Sequence, residues 1–580
     1  MSLKKICIEE DKPTFDNGDK DPKIVINSLD YDSLARIIML LPIPERIDME
    51  EVCTKWKEAC QLAWYDIKKY KCETSIGRCY NNRLLTQSYL KKILLRCGNY
   101  LKELSLSDVC SPSVMPFVVD HCKNLTTLEY KFDDKSLIDN ADHFVQAFTQ
   151  LDKLKCIKIT VDHNDSNETI NLSPIIDSLP EEINEIHLFA KPWWDISQNI
   201  SMSLKNFKNL QKLTVHNFCL DNINLQEIAE ITTLVHLNVG LYDDHIILSL
   251  FNKLVNLEYI DFTMDIEYVS NLSTEVLETI FCTCKNLKHL DIPPGPYDVA
   301  QIPLKKWINF QNFQHLGISC DMMPDLANTI VKYCKNLEHL RITSHNIMDT
   351  ALKKLTELKN LECLILNVDI PLKEESIIAI SNNCKKLKRL EIAECRIEPA
   401  NDGDPLSSPS VLNGLSKLQY LEHLYLCAAL ELDDSTIIAI ANNCKNLTSL
   451  DIRCCSKITE TSLVVLSNLK NLQKLNVSGL EIITDSFLIK LKGLKEFYCY
   501  ECEKLTDAGF IQFIKNNPDL EILDVRFIDN LTIDMIIAAE QAIKNRTNGV
   551  ILHIKLFYPL LEEVSESTIK SQWLLVNKLP

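Results

Sequence analysis

One short phrase recurs along most of this 580-residue chain, and it limits the possible folds more than any other feature. It consists of an apolar residue, two variable positions, a second apolar residue, one variable position and a third apolar residue. It stands at Leu234-Leu237-Val239, Leu257-Ile260-Phe262, Leu287-Leu290-Ile292, Phe313-Leu316-Ile318 and Leu337-Leu340-Ile342. It returns at Leu361-Leu364-Leu366, Leu387-Leu390-Ile392, Leu421-Leu424-Leu426, Leu447-Leu450-Ile452, Leu472-Leu475-Val477, Leu494-Phe497-Cys499 and Leu520-Leu523-Val525. Weaker copies begin at Leu101, Leu125, Leu154, Ile183 and Leu210, about seventeen in all, mostly 22 to 30 residues apart. A unit this short cannot bury its own apolar side, so the units must stack.

Each phrase predicts a short strand, because alternate residues of Leu-x-Leu point to one face. Between phrases the period becomes helical. The near-duplicates Ser376–Cys384 and Ser435–Cys444 read as two-turn amphipathic helices, with Asp434 and Ser435 where caps belong. A strand and a helix per unit predict an α/β solenoid coiled into an arc or horseshoe. Its parallel β-sheet would line the concave face and its helices the convex face. At roughly 4.8 Å per strand, about seventeen strands would give an inner surface on the order of 80 Å long.

Charge and cysteine content narrow the function. The net charge of −18, from 62 basic and 80 acidic residues, disfavours nucleic acid and anionic membrane as partners. The N-terminus shows no apolar signal region, and runs such as Ile37–Leu41 are far too short to span a bilayer, so a cytoplasmic or nuclear chain is expected. The 23 cysteines would then be reduced, and the Asn-x-Ser/Thr matches at Asn124, Asn446 and Asn476 would be chance. Cys122, Cys284, Cys334, Cys384 and Cys444 each stand three residues before a repeat's first leucine. This position suits a small buried hydrophobe. The close pairs Cys282/Cys284 and Cys454/Cys455 lack the Cys-x-x-Cys spacing of a metal site.

The run from Cys444 to Thr459, with Glu481–Asp485 and Cys502–Asp507 repeating its second half, resembles the cysteine-containing leucine-rich repeats. Residues 24–66 do not fit the repeat. Leu34, Ile37, Ile38 and Leu41 form one helical stripe, with Asp30 or Asp32 to cap it and Pro42 and Pro44 to end it. Met49, Val52, Cys53 and Trp56 form a second stripe, extending to Ala59 or Cys60. Leu29 to Leu34, Leu41 to Glu45 and Val52-Cys53-Thr54-Lys55-Trp56, with Trp64 downstream, resemble an F-box, although Asp30 stands where that family usually has proline. Leu94 to Leu101 resembles the entry to the repeats of F-box/leucine-rich-repeat proteins.

That resemblance implies a division of labour. The F-box would dock on a Skp-type adaptor, and through it on cullin and a RING subunit, while the repeats hold a protein substrate for ubiquitination. Leu29, Leu34, Ile37, Ile38, Leu41, Pro44, Val52, Cys53 and Trp56 would form the adaptor contact. The alternative is a ubiquitin-independent scaffold or inhibitor-type binding protein built on the same repeats. The expected order is a disordered segment 1–23, the F-box at 24–66, a helical linker or cap at 67–96, the repeats at 97–554 and a C-terminal cap or tail at 555–580.

Substrate candidates lie at the variable strand positions. His236, His289, His315, His339 and His423 share the place before the second leucine, and the middle three belong to successive repeats. Such a column suits either a metal clamp or pH-sensitive patch, or simply a half-exposed strand; no coordinating set is readable, so no metal or cofactor is assigned. Further along, Tyr425, Asp451, Arg453, Tyr498, Asp524 and Arg526 offer a mixed aromatic and charged surface. Candidate loops are Glu398–Pro409, Pro293–Pro296 and the Trp193-Trp194 pair in Lys191–Asp195. The chain has no Gly-x-Gly-x-x-Gly, Gly-x-Ser-x-Gly or His-Glu-x-x-His motif, so a non-enzymatic role is expected.

Overall fold

The computed structural model describes residues 26–72, 86–106, 110–133, 141–162, 169–190, 198–240, 250–262, 272–293, 299–393, 396–398, 410–544, 546, 550–557, 560, 562, 564 and 574–577. The segment 1–23, the Trp193-Trp194 connection, Pro294–Pro296 and the 399–409 stretch of the acidic loop lie outside them, as does most of the tail after 557. Two compact units are present, Met1–Asp162 with Ser173–Ile183, and His163–Leu172 with Asn184–Pro580.

The first unit opens with three short helices, α1 (Tyr31–Met39), α2 (Ile43–Met49) and α3 (Thr54–Ala63). Asp30 starts α1: its backbone is extended and its carboxylate accepts from the Ser33 amide at 2.7 Å and the Ser33 hydroxyl at 2.9 Å. Pro44 sits in the first turn of α2, where no amide donor is required. The second sequence stripe does not form one helix. Met49 ends α2, Val52 and Cys53 lie in the connecting turn, and only Trp56 onward belongs to α3. Leu34, Ala35, Ile38, Trp56, Ala59, Cys60 and Ala63 make a core of their own.

Residues 67–96 are not purely helical. Lys69–Lys71 form a strand parallel to Glu103–Ser105 before helix α4 (Gln87–Cys97), so the ladder begins earlier than residue 97. Strands Glu103–Leu106, Thr127–Asp133 and Cys156–Asp162 continue it, with Leu104, Leu128 and Ile157 in register.

Among the described residues of the second unit, sixteen strands from Glu185–Ala190 to Leu574–Asn577 pair in parallel, each with the next. The second apolar residue of every phrase falls in one register row: Leu237 beside Ile260, then Leu290, Leu316, Leu340 and Leu364. This row is buried throughout, and burying each such side chain contributes about 1.5–3 kcal/mol. Leu552–Lys555 and Leu574–Asn577 carry the ladder past the expected end at 554. The near-duplicate segments are ten-residue helices, Glu374–Asn383 and Asp434–Asn443. The fold is an α/β solenoid of leucine-rich repeats.

Polar side chains stitch neighbouring repeats. Asp433, not Asp434 or Ser435, caps its helix. Asp434 instead accepts from the backbone amide and hydroxyl of Thr459, both at 2.7 Å, in the next repeat. Asp485 does the same for Thr506, and Asp507 for Thr532. In several repeats an asparagine before the first leucine donates its amide to a carbonyl one repeat back. Asn336 reaches Gln311, Asn360 reaches Lys335, and Asn446 reaches Gln419. The cysteines of the recurring position are buried, and burial pushes the Cys284, Cys334 and Cys384 thiols up to about 12. They are core atoms, held as thiols.

Candidate functional site

The N-terminal helices divide their apolar residues between inside and outside. Leu34 and Ile38 are 0% exposed and Trp56 7%, and Pro44 is also buried, so these expected adaptor contacts serve the module's own core. Leu29 and Leu41 are half-buried. Ile37 and Val52, each 39% exposed, and Cys53 face out, and Leu40, outside the expected set, is 84% exposed. Helical geometry explains the split: Leu34 and Ile38 are four apart and point at α3, while Ile37 and Leu40 occupy the next face round.

Arg46, which the sequence stripes did not single out, holds the three helices together. All five guanidinium N–H donors are spent. Nε donates to the Leu41 carbonyl at 2.9 Å and Nη1 to the Ala63 carbonyl at 2.8 Å. Nη2 donates to the Met39 carbonyl at 2.6 Å, and Nη1 and Nη2 together grip the Asp66 carboxylate at 2.6 and 2.9 Å. The guanidinium carbon lies 5.8 Å from the centre of the Trp64 ring. Trp64 Nε1 donates to Glu50, whose other oxygen accepts from Arg96 on α4 at 2.8 Å, tying the module to the helix that follows.

On the second unit's sheet, the residues flanking each buried leucine point away from the core. One register row runs His236, Tyr259, His289, His315 and His339. Their rings stack in sequence, with centroid separations of 3.8, 3.9, 3.9 and 5.6 Å. Tyr259 was missed because the pattern was sought as histidine; a search for flat rings at that position would have found it. Burial, reinforced by neighbouring histidines, pushes His289 down to about 3 and His236 to about 4, so both rings are neutral near pH 7.

The next row holds Asp291, Gly317 and Arg341. Asp291 is 8% exposed and accepts from His315 Nε2 at 2.8 Å and Arg341 Nε at 3.0 Å. Burial would raise its pKa, but His315 and Arg341 outweigh it and hold the carboxyl below the usual range. His289, Asp291 and His315 each bring a metal-ligand atom within 4.8 Å of the others. A dication there would have to displace the guanidinium that already neutralises the carboxylate.

Further along the same sheet a groove of about 790 Å³ gathers His423, Tyr425, Asp451, Arg453, Tyr498, Asp524 and Arg526, all named from sequence, with Tyr500, Lys474 and Lys555 in addition. His289, His315 and His339 do not line it. Its walls use a repeated device. Arg453 donates from Nε to Asp451, two residues back, at 3.1 Å, and Arg526 from Nε and Nη2 to Asp524 at 2.8 and 2.7 Å. Arg453 lies over the Tyr425 ring at 5.1 Å, Arg526 over Tyr500 at 5.7 Å, and Lys474 over Tyr498 at 5.1 Å. Burial pushes the Tyr425 and Tyr498 hydroxyls up, so they remain protonated donors.

No protein-family profile matches the chain, and no curated protein matches it. Several solved structures do. The chain is similar to an internalin (InlF) from Listeria monocytogenes, at 16% identity over 60% of this chain and 82% of that one, with a TM-score of 0.31. It is similar to the yeast Rad7 and Elc1 complex at 14% identity over 93% and 97%, TM-score 0.28. It is also similar to the plant peptide hormone receptor RGFR1 in complex with RGF2, at 16% identity over 83% and 78%, TM-score 0.33. Likeness at this level carries no functional inference.

Proposed function

We propose that this chain is a non-catalytic substrate receptor of a ubiquitin ligase. Residues 24–66 act as an F-box on a Skp-type adaptor, which brings cullin and a RING subunit, and the repeats hold the protein to be modified. The setting is the cytoplasm or nucleus; no helix among the described residues is long and apolar enough to cross a membrane. The observation that carries the reading is that the module completes its own core and still leaves Ile37, Leu40 and Val52 on the surface. A few exposed aliphatic anchors of this kind are what a helix-packing partner uses.

The test is co-purification of the full chain with a Skp-type adaptor and cullin. The triple variant Ile37→Asp, Leu40→Asp, Val52→Asp touches none of the buried core and should abolish capture while the repeats melt unchanged. Trp56→Ala is a poor control, because it empties the core. Undiminished capture by the triple variant overturns the docking assignment. Absence of the adaptor from the unaltered chain leaves the ubiquitin-independent scaffold.

A further inference from the structure

We infer that the groove on the second unit's sheet takes an extended peptide segment bearing anionic side chains, carboxylate or phosphate, laid across the strands. The inference rests on the receptor reading of the repeats and names the class of segment they would grip.

Charge is the first argument. The chain carries 80 acidic against 62 basic residues, yet six cations line this groove, Arg389, Arg453, Lys474, Lys495, Arg526 and Lys555, against five carboxylates. Two of the five do not face a ligand: Asp451 and Asp524, 7% and 1% exposed, lie beneath the guanidinium groups they bind. Arg389 is paired with Glu391 and Lys474 with Glu496, so the lining is net positive by one charge, on a chain whose overall charge of −18 repels anions that bind non-specifically.

Preorganisation is the second. Each buried aspartate holds its arginine by the Nε and Nη2 edge, and a tyrosine ring stands under the guanidinium plane. The Nη1 groups make no bond to the aspartates, although Arg453 also hydrogen-bonds the Tyr500 hydroxyl. A guanidinium already fixed in place loses little freedom on gripping a carboxylate or phosphate, which is the geometry it matches best. Burial keeps the flanking tyrosines protonated and neutral, and Tyr498 spends its hydroxyl proton on Glu496 at 2.9 Å.

Dimensions are the third. From Arg389 to Lys555 the groove crosses seven strands, at residues 389, 423, 449, 474, 496, 522 and 553, each in register with the next. Six spacings at about 4.8 Å give roughly 29 Å. That accommodates about nine residues of extended chain.

The experiment measures fluorescence anisotropy of the full chain with four labelled peptides of about nine residues. One alternates glutamate with serine, one carries phosphoserine at the same serines with glutamine for glutamate, one replaces glutamate by lysine, and one is neutral. A single-stranded RNA of matched length is the fifth probe. The glutamate or phosphoserine peptide, or both, should bind at least tenfold more tightly than the lysine and neutral ones, with affinity falling as salt rises. The stronger of the two identifies the anion. Arg453→Gln with Arg526→Gln should weaken that binding at least tenfold. Lys474→Gln with Lys555→Gln, which leaves the buried aspartate pairs intact, should weaken it severalfold and guards against misfolding of the first variant. Equal binding of the lysine peptide, no binding of either anionic peptide, tighter binding of the RNA, or anionic binding unchanged in both variants overturns the inference. Adaptor capture by the same preparation separates the two failures: capture without peptide binding leaves the receptor reading standing, and peptide binding without capture leaves the groove.

Discussion

The guanidinium of Arg341 meets the carboxylate of Asp291 across two strands, fifty residues apart in sequence. Nη2 also donates to the Ile292 carbonyl at 3.0 Å. The strand between them places Gly317 in the same row, and a Cβ there would overlap the Asp291 carboxylate. Glycine is required here for close approach, not for an unusual backbone angle.

Arg341→Leu should therefore cost about 1–3 kcal/mol, since it leaves the buried carboxylate with His315 as its remaining side-chain partner. Gly317→Ala should cost about 1–3 kcal/mol by overpacking. Both act on the same carboxylate, so urea unfolding of the double variant should show less than the sum of the two losses. Strict additivity would mean that the pair does not work as described.

Acid should weaken the ring stack. His289 and His236 are pushed to about 3 and about 4 from 6.5, so the unfolded chain binds their protons first. Their contribution is complete above roughly pH 6.5 and drains as pH falls towards the folded values. Asp291, also depressed, adds to the loss only below its unfolded value of 3.8. The melting temperature should fall steadily from about pH 7 to about pH 4.5, and His289→Phe, which keeps a flat ring, should flatten that slope. An unchanged slope would remove His289 from the account.

Arg46→Lys should unfold the N-terminal helices, at a cost of about 3 kcal/mol or more. An ammonium is a point charge with three donors and cannot serve three carbonyls and both Asp66 oxygens. Hydrogen exchange should rise sharply through α1–α3 while peptide binding in the groove is unaffected.

Asp434→Ala should cost about 1 kcal/mol, as loss of a comparable capping bond does. Amide exchange at Thr459, which loses its acceptor, should accelerate, whereas Thr532, served by Asp507, should stay protected.

The ladder was legible because Leu-x-Leu at a fixed period states both the strand and its buried face, so Leu290, Leu316 and Leu340 had to share a row. The groove was legible in part for the same reason: shared phrase positions put Tyr425 beside Asp451, and Tyr498 beside Asp524. Rows built from unlike residues were not legible. Asp291, Gly317 and Arg341 share no chemical signature, and only the register joins them. Nor does a helical stripe say whose atoms cover it. Leu34 and Ile37 look alike in sequence, yet the first packs on α3 and the second meets solvent. Buried cations such as Arg46 escape periodicity altogether, since their place is set by carbonyls left at helix ends.

The stitching bonds from Asp434, Asp485, Asp507 and the asparagines each span a single repeat. Nothing in that scheme counts how many units the second part of the chain should contain. Duplicating or deleting one module of about 25 residues among those joined in this way would leave its junctions served by the same kind of bond, whereas the Asp291–Arg341 pair, which spans two repeats, fixes the count locally. The sheet is thus free to lengthen or shorten in single-strand steps, so its exposed length can change between lineages without a new fold.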